Sequence, residues 1–189
     1  LRMNDETVVL NYISSYGEEG FTGEVKVTVT YTFNDDNELI IDYLATTNKK
    51  TIICLTNHGF FSLAGIANPT PTVDNVELEM NADFYLPIDA QSIPTGEIRF
   101  VEGTPFDFRT PKAIGERIND DNEQLRNGSG YDHNYVLNKK EEGELSFAAR
   151  LHEPTSGRTM EVYTTEPGVQ LYTGNFENGI SGTHGSTYP

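Results

Sequence analysis

Cysteine occurs once in the 189 residues, as Cys54, so the chain has no internal disulfide framework and no cysteine-based zinc cluster. Within the apolar run Ile52-Ile53-Cys54-Leu55 it reads as a small buried hydrophobe rather than a reactive thiol. Basic residues are also scarce, with 13 Lys and Arg against 29 Asp and Glu and a formal charge of −16. Nucleic-acid binding needs clustered cations to neutralise phosphates, and an anionic membrane surface needs the same. The expectation is therefore no nucleic acid and no membrane partner. No apolar run approaches the ~20 residues of a membrane span, and no signal-peptide pattern opens the sequence, so the expected address is cytoplasmic. Phosphate loops, dinucleotide glycine motifs, serine nucleophile elbows and paired metal-spaced histidines are missing as well. His58, His133, His152 and His184 stand far apart.

What is present is enough apolar residue for a packed core. Leu, Ile, Val and Phe make up about a quarter of the chain, above the level at which disorder is the default. The dominant period is two. Val25, Val27, Val29, Tyr31 and Phe33 alternate with Lys26, Thr28, Thr30 and Thr32, the pattern of a half-buried antiparallel strand. Asn34-Asp35-Asp36-Asn37 is a turn cluster, and Glu38 to Thr46 resumes with Leu39, Ile41 and Tyr43 on one face, so a hairpin is expected. Further strands are expected over 51–57, 75–81, 83–87, 96–100, 131–138, 144–152, 158–165 and 169–173. Asn68-Pro69, Pro71, Pro94, Gly103, Pro105, Asn127-Gly128 and Ser156-Gly157 punctuate them. Helical signal is confined to Pro111–Leu125. Many short strands with little helix predict an all-β protein, a large antiparallel β-sandwich, over 1–189 as a single domain.

Three places could carry chemistry. His58 precedes Gly59-Phe60-Phe61 and reads either as an edge imidazole hydrogen-bonded to backbone or as a general acid or base. Tyr131-Asp132-His133-Asn134 heads a strand and reads as an Asx-type turn or as polar groups converging on a ligand, with Asp132 accepting from hydroxyls. Gln170 lies between apolar neighbours and either faces solvent or lines a polar pocket, where its amide both donates and accepts.

Seven ordered segments carry a resemblance. They are Gly17-Glu18-Glu19-Gly20-Phe21, Leu55-Thr56-Asn57-His58-Gly59-Phe60-Phe61, Ala82-Asp83-Phe84-Tyr85-Leu86-Pro87 and Ile93-Pro94-Thr95-Gly96-Glu97-Ile98, followed by Gly103-Thr104-Pro105-Phe106-Asp107-Phe108, Gly130-Tyr131-Asp132-His133-Asn134 and Pro167-Gly168-Val169-Gln170-Leu171-Tyr172-Thr173-Gly174-Asn175. Together they resemble the aldose 1-epimerase (galactose mutarotase) family along nearly the whole chain. The resemblance implies the family's large antiparallel sandwich (supersandwich) with an open cleft. It implies interconversion of the α and β anomers of free hexoses such as galactose and glucose, with no metal and no cofactor. A carboxylate there removes the C1 hydroxyl proton while a His protonates the ring oxygen; the ring opens, C1 rotates and the ring recloses. By that resemblance His58 is the general acid, and Asp132 and Gln170 contact the sugar.

The departures are equally specific. The family's earlier His and its Asn-Arg pair have no counterpart here. Its catalytic Glu follows the Tyr-Thr-Gly-Asn stretch further along than Pro189, and Glu153, Glu161, Glu166 and Glu177 stand in the wrong context to replace it. The expectation is a central-to-late portion holding the acid and part of the sugar grip, with a companion polypeptide as one way to carry the missing parts. The alternative is a catalytically inactive sugar-binding module. A hexose-phosphate enzyme is disfavoured, because the arginines are scattered and the net charge repels a dianion.

Overall fold

The structure, a computed structural model, describes residues 2–3, 6–65, 72–176, 180–181 and 187–188. Asn68-Pro69, Pro71, Glu177 and His184, singled out above, lie outside them. The chain divides into two compact units, Leu1–Phe60 and Phe61–Pro189.

The first unit is a four-stranded antiparallel sheet, β1 (Arg2–Met3), β2 (Thr7–Ser14), β3 (Val25–Phe33) and β4 (Leu39–Thr47), paired in that order. The expected hairpin is β3 and β4, in register with Val29 opposite Tyr43 and Val27 opposite Ala45. On the other side of β3, Leu10 faces Val29 and Tyr12 faces Val27. Alternation therefore gathers Leu10, Tyr12, Val27, Val29, Tyr31 and Tyr43 on one face, and Thr28, Thr30 and Asn11 on the other. On the polar face the Thr28 hydroxyl donates to Asn11 Oδ1 at 2.8 Å. The turn closes because Asn34 Oδ1 accepts the N–H groups of Asp36 and Glu38, at 3.1 and 3.0 Å.

Two expectations fail in the stretch that follows. Residues 51–57 form no strand, and Cys54 is exposed rather than buried, as are Ile52 and Ile53. A run apolar at every position makes a strand only when neighbours pair with it and cover both faces, and no described strand does so here.

The second unit holds two four-stranded antiparallel sheets. One has the order β11 (Arg158–Thr164), β10 (Ser146–Glu153), β5 (Glu77–Met80), β8 (Lys112–Ala113). The other has the order β12 (Gly168–Tyr172), β9 (Asp132–Leu137), β6 (Ala82–Tyr85), β7 (Arg99–Phe100). A short pair, β13 (Ile180–Ser181) and β14 (Thr187–Tyr188), follows. Leu78, Met80 and Ala149 from the first sheet and Tyr85, Tyr135, Leu137 and Leu171 from the second share one buried cluster. Phe106, Phe108 and Tyr131 complete it. This is the sandwich that the alternating pattern predicts. The expected helical region resolves into β8, one 3-10 turn at Ile114–Glu116 and a single short helix, α1 (Glu123–Gly128). Asn122 caps α1 by accepting the Gln124 N–H at 2.9 Å.

Burial differs sharply between the units. Leu78 is 1 % exposed, whereas Leu44 on β4 is 64 % exposed. Leu78→Ala is expected to cost about 2–5 kcal/mol through the cavity it leaves. Leu44→Ala should stay within about 0.5 kcal/mol, as at other exposed positions. Urea unfolding of both variants checks the contrast.

Candidate functional site

Strands β9 and β12 pair antiparallel, with Gly168 opposite Val136, Gln170 opposite Asn134 and Tyr172 opposite Asp132. Along β9 the buried residues are His133, Tyr135 and Leu137, while Asp132, Asn134 and Val136 are half-buried on the other face. Along β12, Leu171 is buried and Gln170 is exposed. The pairing thus sets Asp132 and Gln170 diagonally across two strands on one face, within reach of long side chains. Gln170 Nε2 donates to Asp132 Oδ1 at 2.8 Å. Two of the three expected site residues are therefore in direct contact. The contact uses one amide N–H and one carboxylate oxygen, which leaves Asp132 Oδ2 and Gln170 Oε1 as acceptors for a hydroxylic ligand.

The loop entering β9 is locked from below. Helix α1 ends at Ser129 with φ 54°, and Gly130 follows with φ 133°. A Cβ on Gly130 would lie 2.5 Å from Asn175 Oδ1, so only glycine fits. Asn175 Nδ2 donates to Gly128 O at 2.8 Å and to Tyr131 O at 2.9 Å. Thr173 Oγ1 accepts the Tyr131 N–H at 3.2 Å. The Gly-Tyr-Asp and Tyr-Thr-Gly-Asn segments, distant in sequence, thus clasp each other just where Asp132 emerges. Buried Tyr131 and Tyr135 donate their hydroxyls to the carbonyls of Pro105 and Phe106, and burial raises both above the usual tyrosine range.

His58 lies in the first unit, exposed, in the stretch without strand. Asn57 Oδ1 accepts the Gly59 N–H at 3.0 Å, an Asx-type turn with His58 at its centre. Asn57 Nδ2 reaches the Tyr31 hydroxyl at 3.3 Å, and the imidazole meets Phe60 edge-on at 5.5 Å. The expected strand end before His58 is replaced by this turn, while the neighbouring aromatic ring is as expected.

His133, noted in the sequence among the scattered histidines and as part of its motif, proves to be wholly buried. The signal was available: alternation with Tyr131 and Tyr135 already put it on the core side. Its removal from water lowers its pKa to about 4, below the ordinary value near 6.5. On the β10–β11 hairpin, hydrogen bonds from the Ser156 side chain first, and then from the N–H groups of Ser156 and Thr155, hold the Glu153 pKa to about 2. Among the described residues no three His, Cys, Asp or Glu side chains gather as a metal site, and no helix is long and apolar enough to cross a membrane.

Fold and site together define the class: an all-β antiparallel sandwich presenting a carboxylate–amide pair from adjacent strands. Comparison with known proteins narrows it. A family model for aldose 1-epimerase matches residues 2–188. The chain is 46 % identical to human galactose mutarotase over 189 residues, all of this chain and 52 % of that protein. It is 38 % identical to aldose 1-epimerase of Escherichia coli K12 over 179 residues, 95 % of this chain and 50 % of that protein. A solved aldose epimerase homologue from C. elegans superposes with TM-score 0.86 at 33 % identity, covering all of this chain and 54 % of that one. The chain belongs to the aldose 1-epimerase family and spans about half the length of the relatives it matches.

The buried imidazole makes a pH prediction. Between about pH 6.5 and 4 the unfolded chain holds a proton at His133 that the folded chain does not. Stability is therefore complete above about 6.5 and falls as pH drops toward 4, by an amount of order 3 kcal/mol. Glu153 extends the loss lower: its contribution is present above about pH 4.5 and disappears as pH falls toward 2. In His133→Phe the share of this slope that His133 contributes, largest between about 6.5 and 4.5, should be lost, while the Glu153 share below about 4.5 remains. Urea midpoints measured across pH check this, and a slope unchanged in the variant contradicts it.

Proposed function

We propose that the chain is a portion of an aldose 1-epimerase that acts on free hexoses such as galactose and glucose in the cytoplasm. The observation that carries this reading is the Asp132–Gln170 pair, held at 2.8 Å on one sheet face. Adjacent hydroxyls of a pyranose present alternating donors and acceptors. A carboxylate beside a primary amide matches that pattern, the carboxylate accepting and the amide doing both. Membership of the family supports the same assignment.

In this reading Asp132 and Gln170 grip ring hydroxyls, and His58 protonates the ring oxygen as the C1–O5 bond breaks. The C1 hydroxyl must lose its proton in the same step, which gives the open-chain aldehyde. Rotation about C1–C2 and reclosure on the other carbonyl face deliver the second anomer, with the proton returned from O5 to His58. The proton acceptor for the C1 hydroxyl is a carboxylate outside the three residues assigned here. Histidine suits the donor role because its free pKa lies nearest neutral pH.

A second reading, an inactive sugar-binding module, is favoured by one fact: the Asp132–Gln170 pair is assembled wholly within the second unit. Polarimetry of freshly dissolved α-D-galactose separates the two, with intact mass recording every polypeptide present. Catalysis predicts faster decay of rotation than in buffer, slowed about 10²–10⁴-fold in His58→Gln, as expected for loss of one positioned proton-transfer group. Saturable galactose binding without acceleration would instead support the binding module.

A further inference from the structure

We propose that His133 is a positioning residue, its imidazole fixing from the core side the peptide that carries Asp132 and, through it, the Asp132–Gln170 pair. The proposal rests on the reading of that pair as the sugar grip and adds what holds it in place.

The Ile88 N–H donates to Gln124 Oε1 at 2.7 Å, and Gln124 Nε2 donates to Ile88 O at 3.1 Å. This two-point contact with a backbone fixes which end of the Gln124 amide is oxygen. His133 Nε2 lies 3.2 Å from that same Oε1, so Nε2 must carry the hydrogen and donate. In a neutral imidazole the other nitrogen then bears a lone pair. Nδ1 uses it to accept the Asp132 N–H at 3.1 Å. The backbone of Ile88 therefore dictates, through Gln124, the tautomer in which His133 can hold the Asp132 peptide.

The ring has little freedom. Phe106 packs against it at 4.5 Å and Tyr85 at 5.8 Å, both edge-on. Gly128 closes a further side, where a Cβ would come within 3.3 Å of His133 Cε1. Gln124 is 3 % exposed and His133 wholly buried, so neither bond competes with water. Burying an imidazole is costly unless both nitrogens are used, and here both are. The tilt of the Asp132 peptide sets where its carboxylate points, so an error there displaces the oxygen that Gln170 meets on the opposite face.

Two replacements divide the imidazole's work. Asn at 133 puts an oxygen near the Nδ1 position and keeps the acceptor for Asp132; Gln puts an amide near the Nε2 position and keeps the link to Gln124. Phe keeps ring volume and loses both. Galactose affinity, measured by NMR titration of the full chain, is expected to be nearly unchanged in His133→Asn and about tenfold weaker in His133→Gln and His133→Phe. In an Asp132→Ala background His133→Phe should weaken binding no further while still shifting the unfolding midpoint, which a purely structural role would not produce. Wild-type affinity in His133→Phe, or an undiminished loss in the Asp132→Ala background, would overturn the proposal. Two readouts are independent of sugar: long-range proton–nitrogen spectra should show Nε2 protonated and Nδ1 bare, and the Asp132 amide should exchange faster in His133→Phe. Should the wild-type chain bind no galactose, the sugar-grip reading fails. Those two readouts then decide whether His133 holds the Asp132 peptide, and a protonated Nδ1 or unchanged exchange says that it does not.

Discussion

Along β9 and β12 the face taken by each side chain depends on one pairing, Gln170 opposite Asn134. Because a strand alternates with period two, a slip of one residue would carry Asp132 into the core and bring His133 out. Several contacts oppose that slip. Gly168 fits where a Cβ would lie 2.5 Å from Asn134 Oδ1, so the strands approach closely only in this register. Tyr135 and Tyr131 are anchored by their hydroxyls to the 105–106 backbone. Asn175 and Thr173 tie the chain beyond β12 to the loop before β9. The diagonal Asp132–Gln170 contact follows from these constraints.

The same alternation separates two kinds of polar chemistry. Inside, every polar group named here is paired: the tyrosine hydroxyls with carbonyls, Gln124 with Ile88 and His133, and His133 with the Asp132 peptide. In a low-dielectric interior such bonds are directional and costly to lose, which makes them suitable for holding a backbone still. Outside, Asp132 and Gln170 satisfy each other only in part, which is what a ligand-facing pair requires. The first unit is built otherwise. Its sheet leaves Tyr12 and Leu10 56 % and 43 % exposed, and its hydrogen bonds are mainly those of the strand ladder and turns.

Elements governed by local chemistry were legible in the sequence. The β3–β4 hairpin is plain because alternation and an Asn-Asp turn cluster agree, and the strand expected over 131–138 is observed as Asp132–Leu137, one residue shorter at each end. The stretch 51–57 misled because an unbroken apolar run looks the same whether or not a partner strand exists, and pairing is a long-range fact. Cys54 was misplaced for the same reason. Asp132 and Gln170 could be nominated singly, from hydrogen-bonding capacity and from the family resemblance, but their contact spans 38 positions and depends on register. The Ile88–Gln124–His133 relay was out of reach, since it joins a loop, a helix and a strand that no local pattern links. His58 stands between these cases. Its residue type invited a catalytic role, while the Asx-type turn that presents it was hidden by the expectation of a strand.

In the proposed function, one sheet face of the second unit grips a hexose through Asp132 and Gln170. A crystal structure of the chain with bound D-galactose tests it most directly. Pyranose density is expected against that face, with ring hydroxyls in hydrogen-bond contact with the Asp132 carboxylate and the Gln170 amide. A sugar bound elsewhere, with the 2.8 Å Asp132–Gln170 contact untouched, would contradict it.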